Sequence, residues 1–103
     1  MKDILDKLDK ILEDRKTSNS NESYIASLYK KGNKHICDKV IEEANELVAA
    51  TKESENQIIH ESADLLFHVL VLLASHDIKY VRILEELESR FGTSGIEEKK
   101  NRK

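Results

Sequence analysis

Two short acidic runs carry the chemistry legible in this sequence: Glu42-Glu43-x-x-Glu46 and Glu61-x-x-Asp64. Helical residues three apart sit one turn apart on the same face, so Glu43 and Glu46 are neighbours, as are Glu61 and Asp64. Like charges at that spacing repel, and burial raises the cost unless a cation neutralises them. Carboxylate oxygens are hard ligands for Mg²⁺, Mn²⁺ or Ca²⁺, and Mg²⁺ commonly shares its coordination with water and substrate phosphates. If the two helices pack antiparallel, Glu43, Glu46, Glu61 and Asp64 face one another as a divalent-metal site for a phosphate-bearing substrate. Glu42 lies beside them. Asp64 borders the apolar run Leu65–Ala74, where an unpaired carboxylate is expensive. His68 extends the polar stripe of Glu61 and Asp64; its position suits either a hydrogen-bonded structural histidine or a group at the substrate or metal. His35, His60 and His76 read as surface or helix-end residues. A di-iron bundle would need Glu-x-x-His pairs, and no histidine here has glutamate three residues before it. Without a P-loop or Gly-rich fingerprint, phosphate would be held through a metal and basic side chains.

The elements that must position these residues follow from apolar spacing. Asp3 to Lys16 places Ile4, Leu5, Leu8, Ile11 and Leu12 on one helical face. After a polar loop to Asn21, Asn19 and Glu22 have the spacing of a capping box for a short second helix, which carries Tyr24, Ile25, Leu28 and Tyr29 and ends at Gly32. A third helix is predicted over Lys34–Lys52, with Ile36, Cys37, Val40, Ala44, Leu47 and Val48 inward. Ser54 and Gln57 cap a fourth, Glu55–His76, whose apolar residues circle nearly the whole helix. Such a helix needs cover on several sides, more than one short chain supplies, so a homo-oligomer is expected, a dimer being the simplest. Asp77 is the expected cap of a fifth helix with Ile78, Val81, Leu84, Leu87 and Phe91 inward, ended by Gly92.

A chain of 103 residues suits one domain. It has no proline and three glycines, too few for a turn-rich β fold; with 36% charged and 39% hydrophobic residues, an all-α bundle of four to five helices is expected. A net charge of −3 argues against bulk nucleic-acid binding. The lone Cys37 excludes an internal disulfide and reads as a small core residue. Acids interrupt the apolar residues near Met1, unlike a signal peptide. The longest unbroken apolar block, Val69–Ala74, is far shorter than a span of about 20 residues. A soluble, cytoplasmic protein without a membrane or nucleic-acid partner is expected, its residues 93–103 a solvated, flexible tail.

The acidic pattern resembles the E-E-x-x-E … E-x-x-D signature of the all-α, MazG-like nucleotide pyrophosphohydrolases. The flanking text is similar to one branch, the phosphoribosyl-ATP pyrophosphohydrolases of histidine biosynthesis. It comprises Ser23-Tyr24 with Leu28 and Lys31-Gly32, Lys39-Val40-Ile41-Glu42-Glu43-Ala44, Glu61 through His68, and Arg90-Phe91-Gly92-Thr93-Ser94-Gly95 with Glu98-Lys99. Ile41 stands where that family often has glycine, and Phe67 where it often has tyrosine. The resemblance implies Mg²⁺-dependent hydrolysis (Mn²⁺ being an alternative) of phosphoribosyl-ATP to phosphoribosyl-AMP and pyrophosphate. It implies a metal on Glu43, Glu46, Glu61 and Asp64, with Glu42 as catalytic residue or as support for a ligand. Lys31, Lys39, Arg90 and Lys99 become candidate contacts to phosphate or ribose phosphate, which would draw part of the tail into substrate binding. Two other readings are a relative acting on other nucleoside triphosphates and a non-catalytic helical interaction module; the second leaves the Asp64 stripe unexplained.

Overall fold

A computed structural model describes residues 2–21 and 23–92. Glu22 and the 93–103 segment, with Lys99, lie outside the described residues. The described chain is all-α: α1 (Lys2–Asp14), a 3-10 turn (Arg15–Thr17), α2 (Tyr24–Lys31), α3 (Asn33–Ala50), α4 (Glu55–Ser75) and α5 (Tyr80–Phe91).

The helix boundaries have local causes. Ser23, not Asn19, caps α2: its Oγ accepts from the Ala26 N–H at 3.2 Å. A side chain caps from the position just before the first turn, and Asn19 is too far upstream. It folds on its own loop, accepting from the Asn21 N–H at 2.9 Å. Ser54 caps α4 by accepting from the Gln57 N–H at 3.2 Å. Gly32 ends α2, donating to the Leu28 carbonyl at 3.2 Å, and its own carbonyl accepts from Ile36 at 3.1 Å. Its φ of 96° and ψ of 176° lie in a region essentially confined to glycine, so α2 turns into α3 with no linker. Asp77 does not cap α5; Lys79 occupies that position. Asp77 has φ 60°, a left-handed conformation in the α4–α5 turn, and its carboxylate accepts from Lys16 Nζ at 2.6 Å.

α3 and α4 form a long hairpin, joined at Thr51–Ser54, with α2 and the end of α1 packed against it. The core is small: Leu12, Leu28, Ile36, Leu70 and Val71 are buried, ringed by half-buried residues including Leu8, Tyr29 and Leu73. On α3 the buried residues are Ile36, Glu43 and Ala50, while Val48, expected inside, is 69% exposed. The inward face predicted for α5 is also overturned within one chain. Val81, Leu84 and Leu87 are exposed and Phe91 is 74% exposed, since no described element packs over the far side of this helix. Of these, Leu84 and Leu87 border, with Leu5, Leu66, Val69 and Leu73, an open apolar cleft between α1, α4 and α5.

By length and mean hydropathy (1.5) α4 as a whole is long and apolar enough to cross a bilayer, although its unbroken apolar run is short. It also carries Glu61, Asp64 and the buried His68, and it lies along α3 as the central helix of the bundle. Only 17% of that apolar stretch is buried in the single chain, and acidic residues interrupt it, so length and hydropathy alone carry no membrane assignment.

Candidate active site

The α3–α4 hairpin brings the two acidic runs together. Glu43, Glu46 and Glu61 each present a carboxylate oxygen within 4.8 Å of the others. His60, Glu61 and Asp64 form a second such group, so Glu61 joins the two. The cause is local: each run has helical spacing, and the short connection folds one helix back on the other.

Glu43 is 6% exposed, and its Oε2 is buried without a hydrogen-bond partner among the described residues. Glu61 Oε1 is in the same condition. Burial is the main influence pushing the Glu43 carboxyl above the ordinary 4.5; the hydrogen bond and charge of Glu46 add to it, and His68 opposes it. Burial likewise leads in raising Glu61, followed by the charge of Glu46, with His60 opposing. Two orphaned, partly desolvated carboxylate oxygens facing further acids are what a cation site requires: each bare oxygen costs stability until a proton or a metal satisfies it. An all-oxygen donor set with one imidazole at its edge suits Mg²⁺ or Mn²⁺ better than a soft metal.

Glu42 lies outside both groups. Its carboxylate pairs with Lys39 Nζ at 2.6 Å, and that hydrogen bond, followed by the charge of Lys39, holds its pKa below the ordinary 4.5. Lys39 also comes within 3.8 Å of Glu43 Oε1, and the hydrogen bond to Glu42 leads in raising its pKa. Lys39 is thus a cation on the rim of the carboxylate cluster. Lys31 is exposed on the last turn of α2, and Arg90, on α5, bonds Glu86 Oε2 at 2.9 Å. Neither is paired with the cluster.

His60 and Tyr24 are additions that sequence reasoning missed. His60 Nε2 is 3.5 Å from Asp64 Oδ2; the signal was its place four residues before Asp64, one turn away on the same face. His68 is 5% exposed and hydrogen-bonded at both nitrogens, to the Asp64 main-chain oxygen at 2.8 Å and to the Tyr24 hydroxyl at 3.0 Å. Of its two possible roles, the structural one is thereby filled, and at the site itself.

A family model described as phosphoribosyl-ATP pyrophosphohydrolase matches residues 5–91, which include both acidic runs. The chain belongs to the phosphoribosyl-ATP pyrophosphohydrolase family. Relatives agree along nearly its whole length. The phosphoribosyl-ATP pyrophosphatase of Vesicomyosocius okutanii is 50% identical over 99% of this chain and 98% of its own. That of Methylococcus capsulatus is 50% identical over 98% of this chain and 97% of its own. A histidine biosynthesis bifunctional protein of Helicobacter hepaticus is 52% identical over 97% of this chain, matched to 44% of its own length. Arg90 falls inside the stretch matched by the phosphoribosyl-ATP pyrophosphohydrolase family, and Lys99 falls beyond it.

Proposed function

We propose that this protein hydrolyses phosphoribosyl-ATP at the α–β phosphoanhydride, giving phosphoribosyl-AMP and pyrophosphate, as a step of histidine biosynthesis. Membership of the family, with names shared by relatives of about 50% identity, supports the substrate. The single structural observation that supports the reaction is the pair of orphaned buried oxygens on Glu43 and Glu61 within the carboxylate cluster.

In this reading Glu43, Glu46, Glu61 and Asp64 hold Mg²⁺, with Mn²⁺ an alternative. A bound divalent ion neutralises phosphate charge and stabilises the charge that develops as the anhydride breaks. The protein's own part is positioning. Glu43 and Glu61 fix ligand oxygens in a partly dry cleft between two helices. Lys39 exchanges its carboxylate partners for a substrate phosphate, a charge-assisted contact of the same kind. That exchange releases the Glu42 carboxylate from Lys39, free to accept the proton of the attacking water. Lys31, Arg90 and Lys99 remain proposed contacts to the outer phosphates or the second ribose phosphate.

The reading also includes a homodimer in the cytoplasm. The open apolar cleft lined by Leu66, Val69, Leu84 and Leu87, with Phe91 exposed at the end of α5, supports self-association.

The test compares pyrophosphate release from phosphoribosyl-ATP, ATP and dUTP, each with and without Mg²⁺. The proposal expects Mg²⁺-dependent release from phosphoribosyl-ATP, well above the other two. Equal or faster release from ATP or dUTP would move the protein to a broader nucleotide pyrophosphohydrolase activity. No release from any of them would leave a helical bundle without this chemistry.

A further inference from the structure

Tyr24 opens α2 one residue after the Ser23 cap, and it is held in an unusual way for an exposed residue. The proton positions along its hydrogen-bond chain follow from chemistry. The Asp64 carbonyl 2.8 Å from His68 Nδ1 can only accept, so Nδ1 carries the ring proton. In the neutral ring Nε2 is then a lone pair, and the Tyr24 hydroxyl 3.0 Å away donates to it. The Tyr24 ring lies nearly parallel to Phe67, with centroids 6.4 Å apart and planes inclined by 23°. The His68 ring stands edge-on to both. The tyrosine is therefore fixed at its hydroxyl and against a second ring, yet it remains 54% exposed.

Holding a flat apolar ring immobile in water does little for the stability of the fold. It does suit a ligand with a planar face. The location agrees: the hydrogen-bond chain from Tyr24 through His68 ends on the main chain of Asp64, whose carboxylate belongs to the acidic cluster that Lys39 borders. A nucleotide with its phosphates at the carboxylate cluster would carry its base away from that cluster, past Lys39.

We infer that Tyr24, backed by Phe67, is the stacking surface for the base of the nucleotide substrate, and that His68 is the residue that positions Tyr24. The inference rests on the nucleotide pyrophosphohydrolase reading and adds a base subsite to it. Stacking on an aromatic ring recognises the π-face of a base, and its loss is worth roughly ten- to a hundredfold in binding. Fixing the ring beforehand removes the ordering cost that a free tyrosine would incur on binding.

The chain has no tryptophan, so Tyr24→Trp places a single reporter at this position. Titrated with ATP or phosphoribosyl-AMP in the presence of Mg²⁺, its fluorescence should be quenched; tripolyphosphate, which has phosphates but no base, should leave it unchanged. Quenching by tripolyphosphate equal to that by the nucleotides, or no response to either nucleotide, would overturn the assignment. Kinetics give a second readout. Tyr24→Ala should raise KM for phosphoribosyl-ATP by roughly ten- to a hundredfold with kcat nearly kept, and Tyr24→Phe, which keeps the ring but loses its hydrogen bond to His68, should raise it by a smaller factor, similar to that of His68→Leu. His68→Leu should shift KM in the same sense, and His68→Gln, which can still accept from the hydroxyl, should restore much of it. Unchanged KM in Tyr24→Ala, or an effect confined to kcat, would contradict the subsite. A wild-type protein that fails to cleave phosphoribosyl-ATP would defeat the substrate assignment alone, since the fluorescence titration with ATP tests stacking without turnover.

Discussion

At the scale of single residues, the acids divide by environment. Glu42 is paired and easily ionised; Glu43 and Glu61 are crowded, partly desolvated and hard to ionise. A carboxyl whose folded pKa is raised binds its proton more tightly folded than unfolded, so the stability it gives is present below its unfolded pKa and is lost as pH rises through the folded value. Metal-free protein should therefore lose stability on Glu43's account as pH climbs above the ordinary 4.5. Glu43→Gln lacks this penalty, so its melting temperature relative to the wild type should rise with pH, a difference that saturating Mg²⁺ should shrink or reverse; a difference independent of pH would contradict the assignment. Asp64→Asn and Glu46→Gln preserve size but remove ligand charge. Each should lower pyrophosphate release at least about 100-fold, beyond what supporting residues of a metal site cost, without lowering the metal-free melting temperature. Near-native turnover in both variants would argue against the site. The four metal-site candidates were legible because i, i+3 spacing fixes a helical face before any tertiary structure is known. His60 and Tyr24 were not. The i, i+4 spacing of His60 to Asp64 is a weak signal, common on exposed helix faces, and Tyr24 reaches His68 only because α2 is folded onto α4.

At the scale of elements, the apolar periods gave the five helices, while their ends depended on single atoms. Ser23 displaced the expected Asn19 cap, and Lys79 rather than Asp77 stands at the start of α5. The α2–α3 corner rests on Gly32, whose backbone conformation only glycine adopts readily. A Cβ there would meet nothing within 4 Å, so the cost of Gly32→Ala is conformational and not steric. It should destabilise the fold by about 1–3 kcal/mol, read by denaturant unfolding; a neutral effect would show that the corner relaxes. Since this corner sets the angle of α2 to α3, it also sets where Tyr24 meets His68.

At the scale of the whole molecule, the one-chain core of Leu12, Leu28, Ile36, Leu70 and Val71 is thin, and the α5 face predicted to be inward is exposed. Periodicity identified that face correctly as apolar but says nothing of what covers it. A second copy is the proposed cover. Light scattering should give a dimer at micromolar concentration, and Leu87→Asp, at a position exposed in the single chain, should yield a helical monomer. A monomeric wild type would contradict this. The account as a whole depends on the carboxylates of the α3–α4 hairpin acting through a divalent ion, and Glu61 belongs to both of their groups. The most direct test is the Mg²⁺ dependence of pyrophosphate release from phosphoribosyl-ATP, measured for the wild type beside Glu61→Gln. The wild type should show saturable activation from a baseline near zero in chelator, with Glu61→Gln lower by at least about 100-fold at the Mg²⁺ concentration that saturates the wild type. Full activity in chelator, or a Glu61→Gln titration that overlays the wild type, would contradict it.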